Sequence, residues 1–219
     1  MAFSTILDSE TDPDAPLTSS LAKRWTDNLL AVIDGDPTAP TFFGQSSVLV
    51  AKRVLSDQVN VSFTEFDSTK YDGYELRFHN VLYANAGSYL TLRTSANGGV
   101  SYEGGASSYN WVVDETAVVR SLTADNDDTS IILSDALPAN QQGLSGVIRV
   151  MSPHLAGYTQ VTANFTAGTT ANVYMYQSAG ARKSTENVNA VRFFFSDGVG
   201  NVDGNMTSGI ITLHGIRNA

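Results

Sequence analysis

Residues 71–105, "YDGYELRFHNVLYANAGSYLTLRTSANGGVSYEGG", decide the fold class. Apolar and polar residues alternate along 73–82 and again along 88–95; "YANAGS" separates the two runs and "SANGG" closes the second. A period of two sends successive side chains to opposite faces of a strand, while Asn and Gly supply the backbone conformations that turns need. The stretch therefore reads as two half-buried strands. Tyr74, Leu76, Phe78 and Leu82 share one face of the first, leaving Glu75, Arg77 and His79 on the other. Leu90 and Leu92 mark the buried face of the second.

The same pattern runs from Val48 to the C-terminus. Strands are predicted at 48–55, 60–66, 73–82, 88–95, 109–114, 117–122, 130–133, 144–152, 158–166, 171–178, 189–196 and 208–216, with "TADNDD", "FTAGTT" and "SDGVGNVDGNMTSG" among the turns. In "AVRFFFSD" Val191, Phe193 and Phe195 take one face and Phe194 the other, so this strand is expected to be covered on both sides. In "ANVYMYQS" either Val173 and Met175 or Tyr174 and Tyr176 face inward. Many short strands with turns about every ten residues predict a mainly β protein, an antiparallel, jelly-roll-like β-sandwich. Strand order stays open between jelly roll and immunoglobulin-like arrangements.

Ahead of the sandwich, assigned to 48–219, residues 1–47 form a different segment. Asp8, Glu10, Asp12 and Asp14 stand without a basic partner beside Pro13 and Pro16, which predicts an extended arm. Next comes "LTSSLAKRWTDNLLAVIDGD", with capping residues at Thr18, Ser19 or Ser20 and a terminating Gly35. Leu21, Trp25, Leu29 and Ile33 recur every fourth residue and line one stripe of a short helix. The stripe packs either on the chain's own sheet or on another subunit; the second reading makes it the attachment surface.

Composition narrows the function classes. The 219 residues carry 22 acidic and 13 basic side chains, a formal charge of −9, and the basic residues cluster only as pairs such as Lys52-Arg53. Tracking a nucleic-acid backbone requires denser Lys and Arg, so nucleic acid is not an expected partner. With no cysteine, disulfides, thiolate chemistry and Cys-ligated zinc are excluded. No apolar run approaches the roughly 20 residues of a membrane span. The opening "MAFSTILDSETDPDAP" has no basic n-region or long apolar h-region, so synthesis in the cytosol without a secretion signal is expected.

Catalytic patterns are weak. His79, His154 and His214 are far apart in sequence, and no Gly-x-Ser-x-Gly elbow is present. Glu75, Glu103 and Asp114 are candidates for a glycosidase pair, but no spacing selects two of them. Asn201, Asp203 and Asn205 begin like a calcium loop, yet Met206 stands where glycine and Thr212 where glutamate would follow. Asx turns explain this loop and Asp125–Asp128 without a metal. No catalytic residue, cofactor or metal is assigned. Aromatics near turns remain: Tyr71, Tyr83, Tyr89, Tyr102, Tyr109, Trp111 and Tyr158. Among these, Tyr102, Tyr109 and Trp111 are the expected ligand contacts, since flat rings beside Asn, Asp and Gly suit sugars and protein partners. The alternative is that they plug the ends of the sandwich.

With those residues in view, "FDSTKYDGYELRFHNVLYANAGSYLTLRTSANGGVSYEGGASSYNW" (66–111), "NMTSGIITLHGIRN" (205–218) and "LAKRWTDNLLAVIDGDPTAP" (21–40) resemble a group of tailed-bacteriophage virion proteins called structural, fibre-like or decoration proteins. The resemblance lies in alternation and turns and contains no catalytic signature. It implies a noncatalytic part of the virion, assembled in the host cytoplasm, with the major capsid protein or a tail protein as partner. Repeated attachment sites favour a homo-oligomer, with a trimer expected. The alternative is a tail-fibre-type module that recognises host-surface carbohydrate.

Overall fold

The computed structural model describes residues 47–216 except Val118 and Asn140, together with Lys23, which is helical and exposed; for Gln141 only the backbone is described. The expected arm and the stripe Leu21, Trp25, Leu29 and Ile33 lie outside the described residues. The chain divides into two units, residues 1–48 with 217–219, and Leu49–Ile216. All strands of the sandwich belong to the second unit, save the first two residues of β1.

The strands are β1 (Ser47–Gln58), β2 (Asn60–Phe63), β3 (Gly73–Tyr83), β4 (Tyr89–Ser95), β5 (Tyr109–Thr116), β6 (Arg120–Asp128), β7 (Ile131–Ile132), β8 (Gln141–Met151), β9 (Gln160–Thr169), β10 (Val173–Arg182), β11 (Ala190–Ser196) and β12 (Met206–Ile216). Two sheets form, an eight-stranded one in the order β1-β12-β3-β8-β9-β10-β5-β6 and a four-stranded one in the order β2-β11-β4-β7. This order settles the topology. An eight-stranded jelly roll has sheets B-I-D-G and C-H-E-F. Here β2, β11, β4 and β7 occupy the first set, and β3, β5 and β6 take the places of C, E and F. The place of H is filled by the antiparallel meander β8-β9-β10. Three antiparallel strands leave the chain pointing the way one strand would, so β10 still hands over to β11 in the opposite sheet.

The core between the sheets is aromatic. Phe78 meets Phe165 and Phe193 edge to face, each at 5.3 Å between centroids, and Phe63 meets Phe193 at 6.4 Å. Leu76, Leu90, Leu92, Ile148, Ile211 and Leu213 fill the space around them. Phe193, Phe194 and Phe195 are all buried, so β11 is covered on both faces, as its sequence predicts. In β10 the second register holds: Tyr176 is buried while Val173 and Met175 are exposed.

Two expectations need correction. First, Leu82 does not continue the inward face of β3; Val81 and Tyr83 do. A bulge at His79-Asn80 shifts the register after Phe78, and Asn80 adopts a left-handed φ of 50°. The bulge continues into both neighbouring strands. A Cβ on Gly209 of β12 would lie 2.7 Å from the Val81 Cα, and one on Gly143 of β8 would lie 1.9 Å from Asn80 Oδ1. Both glycines have positive φ, so glycine is required there twice over. Second, Asp125–Asp128 belong not to a turn but to β6, the exposed edge strand. An edge strand needs little apolar content, and acidic side chains there discourage pairing with a further strand.

Candidate functional site

The aromatics selected from sequence are held by the fold. Tyr109 is fully buried at 0% exposure, and its hydroxyl accepts from the Thr94 N–H at 3.0 Å. It offers no ring to a ligand, because β5 turns it between the sheets. Trp111 is 9% exposed, and its Nε1 donates to Asp128 Oδ2 at 2.7 Å, fastening β5 to the end of β6. Tyr102 is half-buried, with the Arg192 guanidinium 3.9 Å from its ring centroid. The turns after β4 thereby cover the outer face of the four-stranded sheet. Arg93 does the same nearby, lying over Phe194 at 5.1 Å and donating to the carbonyls of Thr129 and Gly200.

The candidate acids are also committed. Burial raises the Glu75 carboxyl, but hydrogen bonds and charge from Arg77 (2.8 Å) and Arg149 (3.2 Å) outweigh it and hold it below its ordinary value. Glu103 is lowered by the Gly105 N–H and the Ser108 hydroxyl, which, with the Gly104 N–H, tie it into its own turn. Asp114 is lowered by Arg120. A general acid needs its proton near neutral pH, so lowered values suit none of the three to that role. Asp197 accepts from the backbone of Val199 and Asn201 within its own turn, whereas Asp203 accepts from the Asn85 and Ser88 side chains and ties its loop to the one before β4. His154 lies against Tyr74 and Phe66, His214 contacts the Thr212 hydroxyl, and His79 is exposed.

What the fold leaves accessible is the outer face of the eight-stranded sheet. Register aligns its side chains into rows across the strands. One row reads Arg77, Val147, Asn164, Gln177, Asp114 and Leu122. The next reads Glu75, Arg149, Thr162, Ala179, Val112 and Ala124. Three hollows of about 360, 440 and 310 Å³ lie on this face, and all three include Thr162 of β9. Small residues in the middle (Thr162, Ala179) lie between the Glu75–Arg77–Arg149 group on one side and Asp114–Arg120 on the other. The amides of Asn164 and Gln177 are exposed, each with donors and an acceptor to offer. Such a lattice suits sugar hydroxyls or the polar surface of another protein. Sequence reasoning missed these residues, although "QVTANFT" carried the signal: Val161, Ala163 and Phe165 point inward and leave Thr162 and Asn164 outside.

No family model, curated protein or solved structure matches this chain. Function is therefore argued from the residues themselves.

Proposed function

We infer that the chain is a noncatalytic structural protein of a tailed-phage virion, a capsid-surface decoration or head-fibre protein attached through residues 1–47. One observation carries this reading. Two of the three segments that resemble such proteins, 66–111 and 205–218, lie side by side, since β12 pairs with β3 from Ile216↔Gly73 to Met206↔Tyr83; the third, 21–40, lies outside the described residues save Lys23. The resemblance thus falls on neighbouring parts of one sandwich. The partner in this reading is the major capsid protein or a tail protein, and the working unit is a homo-oligomer, a trimer, whose repeated contacts add avidity. The test is electron microscopy of virions labelled with an antibody against residues 48–219. Regular label over the head is the expected result, and unlabelled particles would overturn the assignment. Deleting residues 1–33 is expected to abolish attachment while the sandwich still folds.

The open lattice of Thr162, Asn164 and Gln177 favours a second reading, a tail-fibre-type module that binds host-surface carbohydrate. Label confined to the tail would select it. Replacing Asn164 and Gln177 together by alanine would then weaken binding to host cells without unfolding the protein.

A further inference from the structure

The outer face of the eight-stranded sheet carries a group in which two cations share one anion. Pairing of β3 with β8 sets Glu75 directly opposite Arg149, and Arg77 follows two residues along β3 on the same face. Arg77 Nε donates to Glu75 Oε1 at 2.8 Å, and Arg149 Nε donates to Glu75 Oε2 at 3.2 Å. Glu75 is the sheltered member, its side chain 12% exposed against 41% for Arg77 and 62% for Arg149. Each guanidinium therefore uses only its Nε on Glu75. The Nη groups of both donate to no described residue.

Register arranges the surroundings as a block of two rows, with Arg77, Val147 and Asn164 in one and Glu75, Arg149 and Thr162 in the other. These same residues line a hollow of about 440 Å³, a volume in the range of small-molecule sites. A strand spacing of about 4.8 Å puts β3 and β9 roughly 10 Å apart across it, room for one sugar ring. The lining is chemically mixed. Free Nη donors face an exposed Asn164 amide, which both donates and accepts, with the Thr162 hydroxyl and the apolar Val147 between them. Two guanidiniums against one carboxylate leave a net positive charge here, in a chain whose formal charge is −9. His214, opposite Glu75 on β12, adds none at neutral pH, because burial and then Arg77 hold its imidazole below its ordinary value.

We propose that this hollow binds an acidic sugar residue, its carboxylate on the Nη donors of Arg77 and Arg149 and its hydroxyls on Asn164 and Thr162. The inference rests on the carbohydrate reading above and narrows it to saccharides that contain a uronic or sialic acid. A guanidinium fork matches the plane of a carboxylate, and Glu75 fixes both forks before the ligand arrives, which lowers the ordering cost of binding. A protein partner would call for a large apolar or aromatic anchor at the centre of the contact, and this block offers only Val147.

The test is an NMR titration of the full chain with glucuronate, N-acetylneuraminate, glucose and acetate at equal ionic strength. Both sugar acids are expected to shift the signals of Thr162 and Asn164 and to bind about tenfold or more tighter than glucose, the scale of one charge-assisted hydrogen bond. Arg149→Gln, at a mostly exposed side chain, should fold like the parent and bring glucuronate down to the level of glucose. Lys52→Gln, which removes an equal charge from an exposed side chain of β1, should leave glucuronate binding unchanged. Glucose binding as tightly as glucuronate would overturn the acidic ligand and leave the carbohydrate reading standing, whereas no response to any sugar would remove both. Acetate binding as tightly as glucuronate would reduce the hollow to a bare anion site, and equal losses in Lys52→Gln and Arg149→Gln would assign the effect to net charge. Either result overturns the proposal.

Discussion

The two sheets of this sandwich share a core but not an exterior. The four-stranded sheet is covered on its outer side, where Tyr102 stacks on Arg192, Arg93 lies over Phe194, and Thr91 bonds to Ser196 while both are buried. The eight-stranded sheet keeps Thr162, Asn164, Gln177 and Ala179 accessible on its outer side. The difference leaves the larger sheet with the more accessible outer face among the described residues. Of the aromatic side chains that look available in sequence, Tyr102 covers the small sheet, Tyr109 is buried between the sheets and Trp111 ties β5 to β6, while the accessible face of the larger sheet is polar, small-residued and regular.

The comparison predicts a steep gradient of mutational cost from core to open face. Phe193→Ala removes the ring that joins Phe63 to Phe78 and is expected to cost about 3–5 kcal/mol in urea unfolding. A loss under about 1 kcal/mol would mean the two sheets do not share this core. Gly146→Ala places a Cβ 2.2 Å from the Asn164 carbonyl oxygen and 2.5 Å from the Phe165 ring, so a loss of about 1–3 kcal/mol is expected. Tyr102→Ala should cost about 1 kcal/mol, the scale of a partly desolvated cation–π contact. If it cost nothing while reducing binding to a partner, the small sheet would regain its claim as the contact surface. Thr162→Ala, at the centre of the open face, should change stability by less than about 0.5 kcal/mol.

Acid sharpens the contrast from another direction. Glu103 has a carboxyl lowered by its turn bonds, so its stabilising contribution is complete above the ordinary carboxylate value and is lost as pH falls through the lowered one. Glu115 has the opposite sign. Its carboxyl is raised, so the stability linked to its protonated form is present at low pH and is lost as pH rises through the raised value. Comparing Glu103→Gln with Glu115→Gln between pH 3 and pH 7 should therefore give stability differences that change in opposite directions with pH.

Much of the fold was legible because alternation is local. "AVRFFFSD" showed a strand covered on both faces, and every predicted strand overlaps an observed one. Acidic β6 was cut short because its residues carry no burial signal; its place at the edge comes from pairing with β5, not from its composition. Leu82 was misplaced because Asn80 gives no warning that β3 bulges. The bulge makes sense only beside Gly143 and Gly209, which lie more than sixty residues away in sequence. The candidate site was less legible still. Tyr109 and Trp111 are set apart from surface aromatics by their burial and by distant partners, the Thr94 N–H that donates to the Tyr109 hydroxyl and the Asp128 carboxylate that accepts from Trp111 Nε1.

By itself the sequence determined the strand class, the number of strands and most inward-facing residues, because a period of two needs only neighbours to be read. Tertiary structure alone decided the jelly-roll order, the covered and open sheets, and the register that sets Tyr176 opposite Glu115. Those depend on pairings between distant segments, whose registers are set by the shared core and leave no local trace in the chain.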